Sequence, residues 1–197
     1  ISILITAGPT IEEIDPIRFV SNKSSGKQGF EIASELTKRG AQVTLISGPV
    51  NIPFPNCKNI IQVKTAQEML DNVTQQLPTD VLICSAAVAD WKLIPKTSSY
   101  NKIDINNKIK KTNEKLIFEV EKNPDILETI AKSNIRPKIV IGFSAETTNI
   151  NNNAHSKLIS KNIDLIIAND VSNNKVFGED FNKVSLIEKN NCEQLKK

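Results

Sequence analysis

Histidine is nearly absent from this sequence and cysteine is scarce. His155 stands alone, and the 3 cysteines, Cys57, Cys84 and Cys192, are scattered through 197 residues with no short ligand spacing. Neither a zinc site nor a Ser-His-Asp or Cys-His machine can be assembled from that inventory. An odd cysteine count without framework spacing fits a reducing compartment, and the expectation is a cytoplasmic protein. No apolar run approaches the ~20 residues that span a bilayer, and no basic stretch with a cleavage site opens the chain, so no membrane association is expected. Charge of one sign is missing as well. Lys plus Arg number 25 against 22 Asp plus Glu, and a net charge of +3 gives no case for nucleic acid, although it leaves small anions open as ligands. Arginine occurs only at Arg18, Arg39 and Arg136 while Ile, Lys and Asn are abundant, a bias that AT-rich codon usage explains without reference to function.

What is present is an α/β rhythm. A chain of 197 residues is expected to make a single domain over 1–197, and because it opens on Ile1, already inside a strand pattern, a continuation upstream is expected. Residues 1–6 form an apolar run that ends at Ala7-Gly8-Pro9-Thr10. The spacing of Phe30, Ile32, Ala33 and Leu36 predicts a helix over 27–39, stopped by Gly40. Strands follow at 41–47 and 60–63, a helix at 66–77 ended by Pro78, and a uniformly apolar strand at 80–85. Apolar runs alternating with helices imply a mostly parallel sheet covered on both faces, a Rossmann-like three-layer domain. Residues 91–115 lack a period and carry Lys92, Lys96, Lys102, Lys108, Lys110, Lys111 and Lys115, which predicts a mobile, projecting basic flap or, more blandly, a solvated excursion. Beyond it the pattern gives an edge strand at 116–120 and a short helix through Ala131 with Pro124 in its first turn. Further strands are read at 138–143 and 163–168, a helix at 149–161, and a last strand at 184–187 with a turn at Asn190-Asn191.

Several segments could carry chemistry. Ser21-Asn22-Lys23-Ser24-Ser25-Gly26-Lys27-Gln28-Gly29 joins hydroxyls and two glycines to a helix start, an arrangement suited to a phosphate or carboxylate. Its glycines fit neither G-x-G-x-x-G nor G-x-x-x-x-G-K-[ST], and an ordinary helix-capping turn remains the alternative. Loops at the carboxyl ends of the strands bring Ser85 to Asp90, Ser144 to Thr147 and Asn169-Asp170 together. Asp90 could accept from a ribose or a base amine, or could cap a helix; Lys157 and Lys161 share a helical face and could meet phosphates or water.

These residues fall into a series of motifs. Ile5-Thr6-Ala7-Gly8-Pro9-Thr10, Ile14-Asp15-Pro16-Ile17-Arg18, Ser21 to Lys27, Ala86-Ala87-Val88-Ala89-Asp90-Trp91, Lys108-Ile109-Lys110-Lys111, Asn123-Pro124-Asp125-Ile126, Gly142-Phe143-Ser144-Ala145-Glu146-Thr147 and Ala168-Asn169-Asp170-Val171-Ser172 follow in order. Together they closely resemble bacterial phosphopantothenoylcysteine synthetase, over nearly the whole chain. The resemblance implies ligation of 4'-phosphopantothenate to L-cysteine in coenzyme A biosynthesis, driven by CTP with Mg²⁺ through an acyl-cytidylate, with release of pyrophosphate and CMP. It implies Asn22 and Lys108 as catalytic residues, with Lys102 a second candidate for the flap lysine. It implies nucleotide contacts from Ser24, Ser25, Gly26, Cys84, Ser85, Ala86, Asp90, Lys108, Pro124, Asp125, Ile126, Leu127, Phe143, Lys157 and Lys161. Arg18, Asn22, Ala86 and Ala87 would face the pantothenate side. The metal ligands are left unassigned. A homodimer is implied, and an FMN-dependent decarboxylase domain is expected upstream and not within this chain. Gln28 stands where the family often has methionine and Ser144 where it often has alanine, and the tail after Ile187 lacks the expected terminal helix. Two other readings compete: an NAD(P)-dependent Rossmann oxidoreductase, against which stand the missing glycine pattern and Ser47-Gly48-Pro49 where an acidic residue would be needed, and a non-catalytic nucleotide-binding module.

Overall fold

The computed structural model describes residues 1–171 and 184–195. In chain order the elements are β1 (Ser2–Ala7), β2 (Glu12–Glu13), β3 (Phe19–Val20), α1 (Lys27–Lys38), β4 (Gln42–Ser47), β5 (Asn59–Gln62), α2 (Ala66–Gln75), β6 (Val81–Cys84), β7 (Trp91–Lys96), β8 (Ile117–Lys122), α3 (Ile126–Ala131), β9 (Ile139–Glu146), α4 (Ile150–Lys161), β10 (Leu165–Asp170), β11 (Val184–Ile187) and β12 (Cys192–Gln194). The main sheet has 8 strands in the order β12-β11-β10-β9-β6-β1-β4-β5. It is parallel from β5 to β10 and antiparallel at β11 and β12. Its parallel part runs third, second, first, fourth, fifth, sixth, the doubly wound Rossmann order with its switch point between β1 and β6.

The strands read as continuous apolar runs because both faces are covered. Ile3, Ile5 and Ala7 of β1 pack with Val43, Leu45 and Ile83 under Phe30 and Ala33 of α1. Leu4 faces the other way, with Ile46, Leu82, Val140 and Ile166, under Met69, Val73, Ile130, Ala154 and Leu158 of the remaining helices. Two N-caps follow directly from sequence: Thr65 accepts from the N–H of Glu68 at the start of α2, and Asp125 does the same for Glu128 at the start of α3. Pro124 therefore precedes the cap and is not inside the first turn.

The flap departs from its sequence reading. Residues 91–96, expected to lack structure, form β7, and the segment read as an edge strand of the main sheet is β8, paired antiparallel to β7 from Trp91 opposite Lys122 to Lys96 opposite Ile117. Charge pairing across the strands explains the register. Lys92 meets Glu121 at 2.9 Å, Lys96 meets Glu119, and Lys122 lies over the Trp91 ring at 5.8 Å. Residues 97–116, by contrast, form turns and one isolated bridge, Lys96 to Lys102. At the far end, Asn190-Asn191 does turn the chain, but into the short strand β12 and not into a simple tail. Ser172, which closes the last motif, lies outside the described residues.

Gly29 sets the closest approach of helix to sheet. A Cβ there would fall 2.6 Å from the Ala7 Cβ and 3.1 Å from the Ser85 Oγ. Alanine normally stabilises a helix relative to glycine by about 0.5–1 kcal/mol. Here the overlap wins, and Gly29→Ala is expected to destabilise by about 1–3 kcal/mol in urea unfolding; a gain in stability would show that α1 can lift without cost.

Candidate functional site

The carboxyl ends of β1 and β6 part at the switch point, and the loops that leave them are laced together. Ala87 donates its N–H to the Gly8 carbonyl at 2.9 Å, and its own carbonyl accepts from the Thr10 N–H at 3.2 Å. The buried hydroxyl of Thr10 accepts from the Ala89 N–H at 2.9 Å. Beyond this lacing opens a cavity of about 1100 Å³. One wall is the start of α1, where Gly26 adopts the left-handed conformation at φ 77° and the first turn contains no acidic residue. Its first N–H groups have no acceptor within the helix, although those of Gly26 and Lys27 reach the hydroxyls of Ser24 and Ser25 at 3.3 and 3.4 Å. Partial positive charge thus faces the cavity.

The opposite wall carries two lysines and two carboxylates. Lys157 Nζ donates to Glu146 Oε1 at 2.6 Å and to Ser144 Oγ at 3.2 Å, and that hydroxyl donates to the same Glu146 oxygen at 2.5 Å. Burial pushes the Glu146 carboxyl up, but the bonds from Lys157, Ser144 and Asn153 outweigh it, and the net position is below the usual carboxylate range. Lys161 Nζ donates to the second oxygen of the cap residue Asp125 at 2.5 Å. Both cations are therefore neutralised locally, in geometries from which each can also reach an entering anion. Cys84, at the end of β6, has its thiol pushed up to about 12 by burial, so it lines the cavity as a neutral, unreactive group.

Of the residues singled out from sequence, Ser24, Ser25, Gly26, Cys84, Ser85, Ala86, Ala87 and Asp90 line this cavity. So do Pro124, Asp125, Ile126, Leu127, Phe143, Lys157 and Lys161. Asp90 caps no helix; it stands where β7 begins, and its carbonyl accepts from the Asn123 N–H at 3.0 Å. Asn22 is at the rim, with its carbonyl oxygen accepting from the Ser24 N–H at 3.1 Å and its amide donating to the Ala87 carbonyl. Three residues fall elsewhere. Arg18 is paired with Asp15 at 2.5 Å, and Lys108 and Lys102 are exposed on the flap, outside the cavity. His155 is exposed and within reach of the Lys189 carbonyl.

Sequence reasoning gave no role to Thr6, Glu31 and Asn123, which line the cavity; Asn169, which also lines it, and Glu146 were named only within the loops at the strand ends. It also passed over Glu12, a buried carboxylate that accepts from the Ala66 N–H at 2.9 Å and so ties the β2 hairpin to the start of α2. Burial raises its proton affinity, partly offset by the Ala66 and Asn123 bonds. At the end of β4 the Ser47 hydroxyl is spent on the Gly48 carbonyl at 2.8 Å, so the ribose-holding carboxylate of a dinucleotide site has no counterpart there among the described residues.

The family described as the DNA/pantothenate metabolism flavoprotein C-terminal domain matches residues 1–197. The chain belongs to that family. The resemblance read from the series of motifs is thereby borne out. The chain is 42% identical over 196 residues to the coenzyme A biosynthesis bifunctional protein CoaBC of Haemophilus influenzae, covering 99% of this chain and 47% of that protein. It is 45% identical over 196 residues to the protein of the same name from Borreliella burgdorferi, covering 98% and 47%. It thus spans about half the length of these curated relatives. A crystal structure described as the C-terminal domain of CoaBC is 37% identical and superposes with a TM-score of 0.78, covering 99% of this chain and 85% of that one. A crystal structure described as the DNA/pantothenate metabolism flavoprotein from Streptococcus pneumoniae is 27% identical with a TM-score of 0.81, covering 98% of this chain and 91% of that one.

The lowered position of Glu146 fixes a sign. Its carboxylate contributes stability above the ordinary value of 4.5, and that contribution is lost as pH falls through the lowered folded-state value. Glu146→Gln is expected to flatten the acid limb of the stability profile below the ordinary carboxylate value without changing its slope near neutral pH. An unchanged acid limb in equilibrium unfolding would show that the Lys157 pair does not hold the charge.

Proposed function

We propose that this chain is a phosphopantothenate-cysteine ligase acting in the cytoplasm in coenzyme A biosynthesis, with CTP as the activating nucleotide. The single observation that carries the reading is the cavity at the switch point, with the start of α1, whose first turn has no acidic residue, on one wall and the Lys157 and Lys161 pairs on the other. The family membership and the names of the half-matched relatives support it.

The chemistry asks for charge neutralisation more than for proton transfer. A substrate carboxylate attacks the α-phosphorus of CTP, forming an acyl-oxygen to phosphorus bond while the bond to the β-phosphate oxygen breaks and pyrophosphate leaves. The cysteine amine then attacks the acyl carbon, and CMP leaves. The nucleotide lies against Ala86, Asp90, Phe143 and 124–127, with its phosphates shared between the first turn of α1 and the two lysines. Each lysine trades a carboxylate for a phosphate, and the helix start needs no rearrangement to accept one. Asn22 keeps one amide N–H beyond its bond to Ala87 and, on this reading, donates it to the oxyanion that develops at the acyl carbon. Mg²⁺ enters as the nucleotide's counter-ion. Among the residues lining the cavity, Asp90 is a carboxylate that would be able to accept from a water on that cation. FMN belongs to the other half of the bifunctional relatives.

A homodimer completes the reading. One face of the ribbon leaves Trp91, Phe118 and Val120 exposed at 46%, 38% and 54%, and a second copy of the chain covers them. Because Lys108 lies outside this chain's own cavity, the dimer is the means by which it reaches a triphosphate.

The test is pyrophosphate release with Mg²⁺ and 4'-phosphopantothenate, comparing CTP with ATP, with and without cysteine. The expected result is CTP-dependent release that requires phosphopantothenate, limited to a burst until cysteine is added. Release with ATP only would keep the ligase and overturn the nucleotide, and a non-catalytic module would give none. Asn22→Asp is expected to lower kcat by about 10²–10³-fold while leaving CTP binding nearly intact; an unchanged kcat would remove Asn22 from the chemistry.

A further inference from the structure

Ile109, the residue after Lys108, is held by both of its main-chain polar groups. Its N–H donates to Asp15 Oδ2 at 3.1 Å, and its carbonyl accepts from Arg18 Nη2 at 3.0 Å. The turn Asp15-Pro16-Ile17-Arg18 is built to present that pair. Pro16 fixes the first corner, and Asp15 Oδ1 accepts from the N–H groups of Ile17 and Arg18 at 2.9 and 2.8 Å. The N–H groups of Ile14 and Asp15 close the loop on the Arg18 carbonyl at 2.8 and 3.2 Å. Oδ2 is left for the Arg18 guanidinium, at 3.1 and 2.5 Å, and for Ile109.

A carboxylate that is only 2% exposed would be costly without these five donors. With them it is a rigid anchor, and the Arg18 bond holds it well below the usual carboxylate range. Charge balance matters equally. Arg18 neutralises Asp15, so the neighbouring Lys108, Lys110 and Lys111 are not drawn to the carboxylate. The main chain is gripped and the ammonium groups stay available for an anion.

We propose that Asp15 is a positioning residue which, with Arg18, clasps the main chain at Ile109 and so sets the place of Lys108. The proposal rests on the reading of Lys108 as the flap lysine, and it gives Arg18 a place in the clasp. Two variants separate anchor from fold in the full-length protein. Asp15→Asn removes the charge on the anchor, and Ile109→Pro, at a half-buried position of the flap, removes the N–H that Asp15 accepts from while also fixing φ there. Both are expected to speed tryptic cleavage after Lys110 and Lys111 by about tenfold or more, with cleavage elsewhere unchanged. An unchanged rate in Ile109→Pro overturns the clasp. In turnover, Asp15→Asn is expected to lower kcat at least about tenfold at nearly constant KM for CTP, and to add nothing in a Lys108→Ala background. Fully additive losses overturn the link to Lys108. Full activity of Lys108→Ala alone would count against the flap-lysine reading itself, while the digestion still judges the clasp.

Discussion

The parting of β1 and β6 is the constraint on which the rest of the molecule depends. A parallel sheet whose order reverses there must send its two successive crossovers to opposite faces, and a crevice is left between them where several strand ends converge. Everything nearby serves to keep that crevice open and lined with backbone. Gly29 lets α1 lie directly on Ala7, so its first turn points into the crevice and not above it. The lacing of Gly8, Thr10, Ala87 and Ala89 stiffens the two loops without filling the space between them. Small side chains at 85–87 and 89 then allow a ligand to approach the main chain itself.

Charge is arranged with the same economy. The far wall is electrically balanced before any ligand arrives, because Lys157 and Lys161 are paired with Glu146 and Asp125. Such pairs at the margin of solvent contribute little to stability. Their value lies in keeping two long side chains ordered beside the cavity, so that an entering polyanion meets cations already in place. Ser144 belongs to this arrangement, bridging Glu146 and Lys157 where an alanine would leave them to pair alone. On the other side of the molecule the Asp15 turn applies the same logic to the flap, with a buried carboxylate compensated by Arg18 and used to hold main chain.

Much of this was legible in the sequence, and what was not has a common cause. The apolar runs of β1, β4 and β6 and the helix stopped by Gly40 are local patterns, and they read correctly, whereas the cap at Asp125 was displaced by one residue because Pro124 was read as part of the first turn. The loops at the strand ends could be named because a Rossmann order forces them together. The β7 and β8 ribbon was missed because each strand is short and charged, and its register rests on Lys92 with Glu121 and Lys96 with Glu119, partners that no local window contains. That the Arg18 guanidinium is shared between Asp15 and the Ile109 carbonyl was not legible either, because no local window contains Ile109. Glu146 was named only as part of a loop and given no role, because an acidic residue looks unsuited to a phosphate site until the lysine beside it is seen.

The account stands most directly on the claim that the switch-point cavity is the nucleotide site. Hydrogen exchange of the protein with and without CTP and Mg²⁺ tests it. Slowed exchange is predicted in the first turn of α1, in 84–90 and in 123–127, with little change on the outer face of α2. Protection confined to other regions, or none at saturating CTP, would contradict the account.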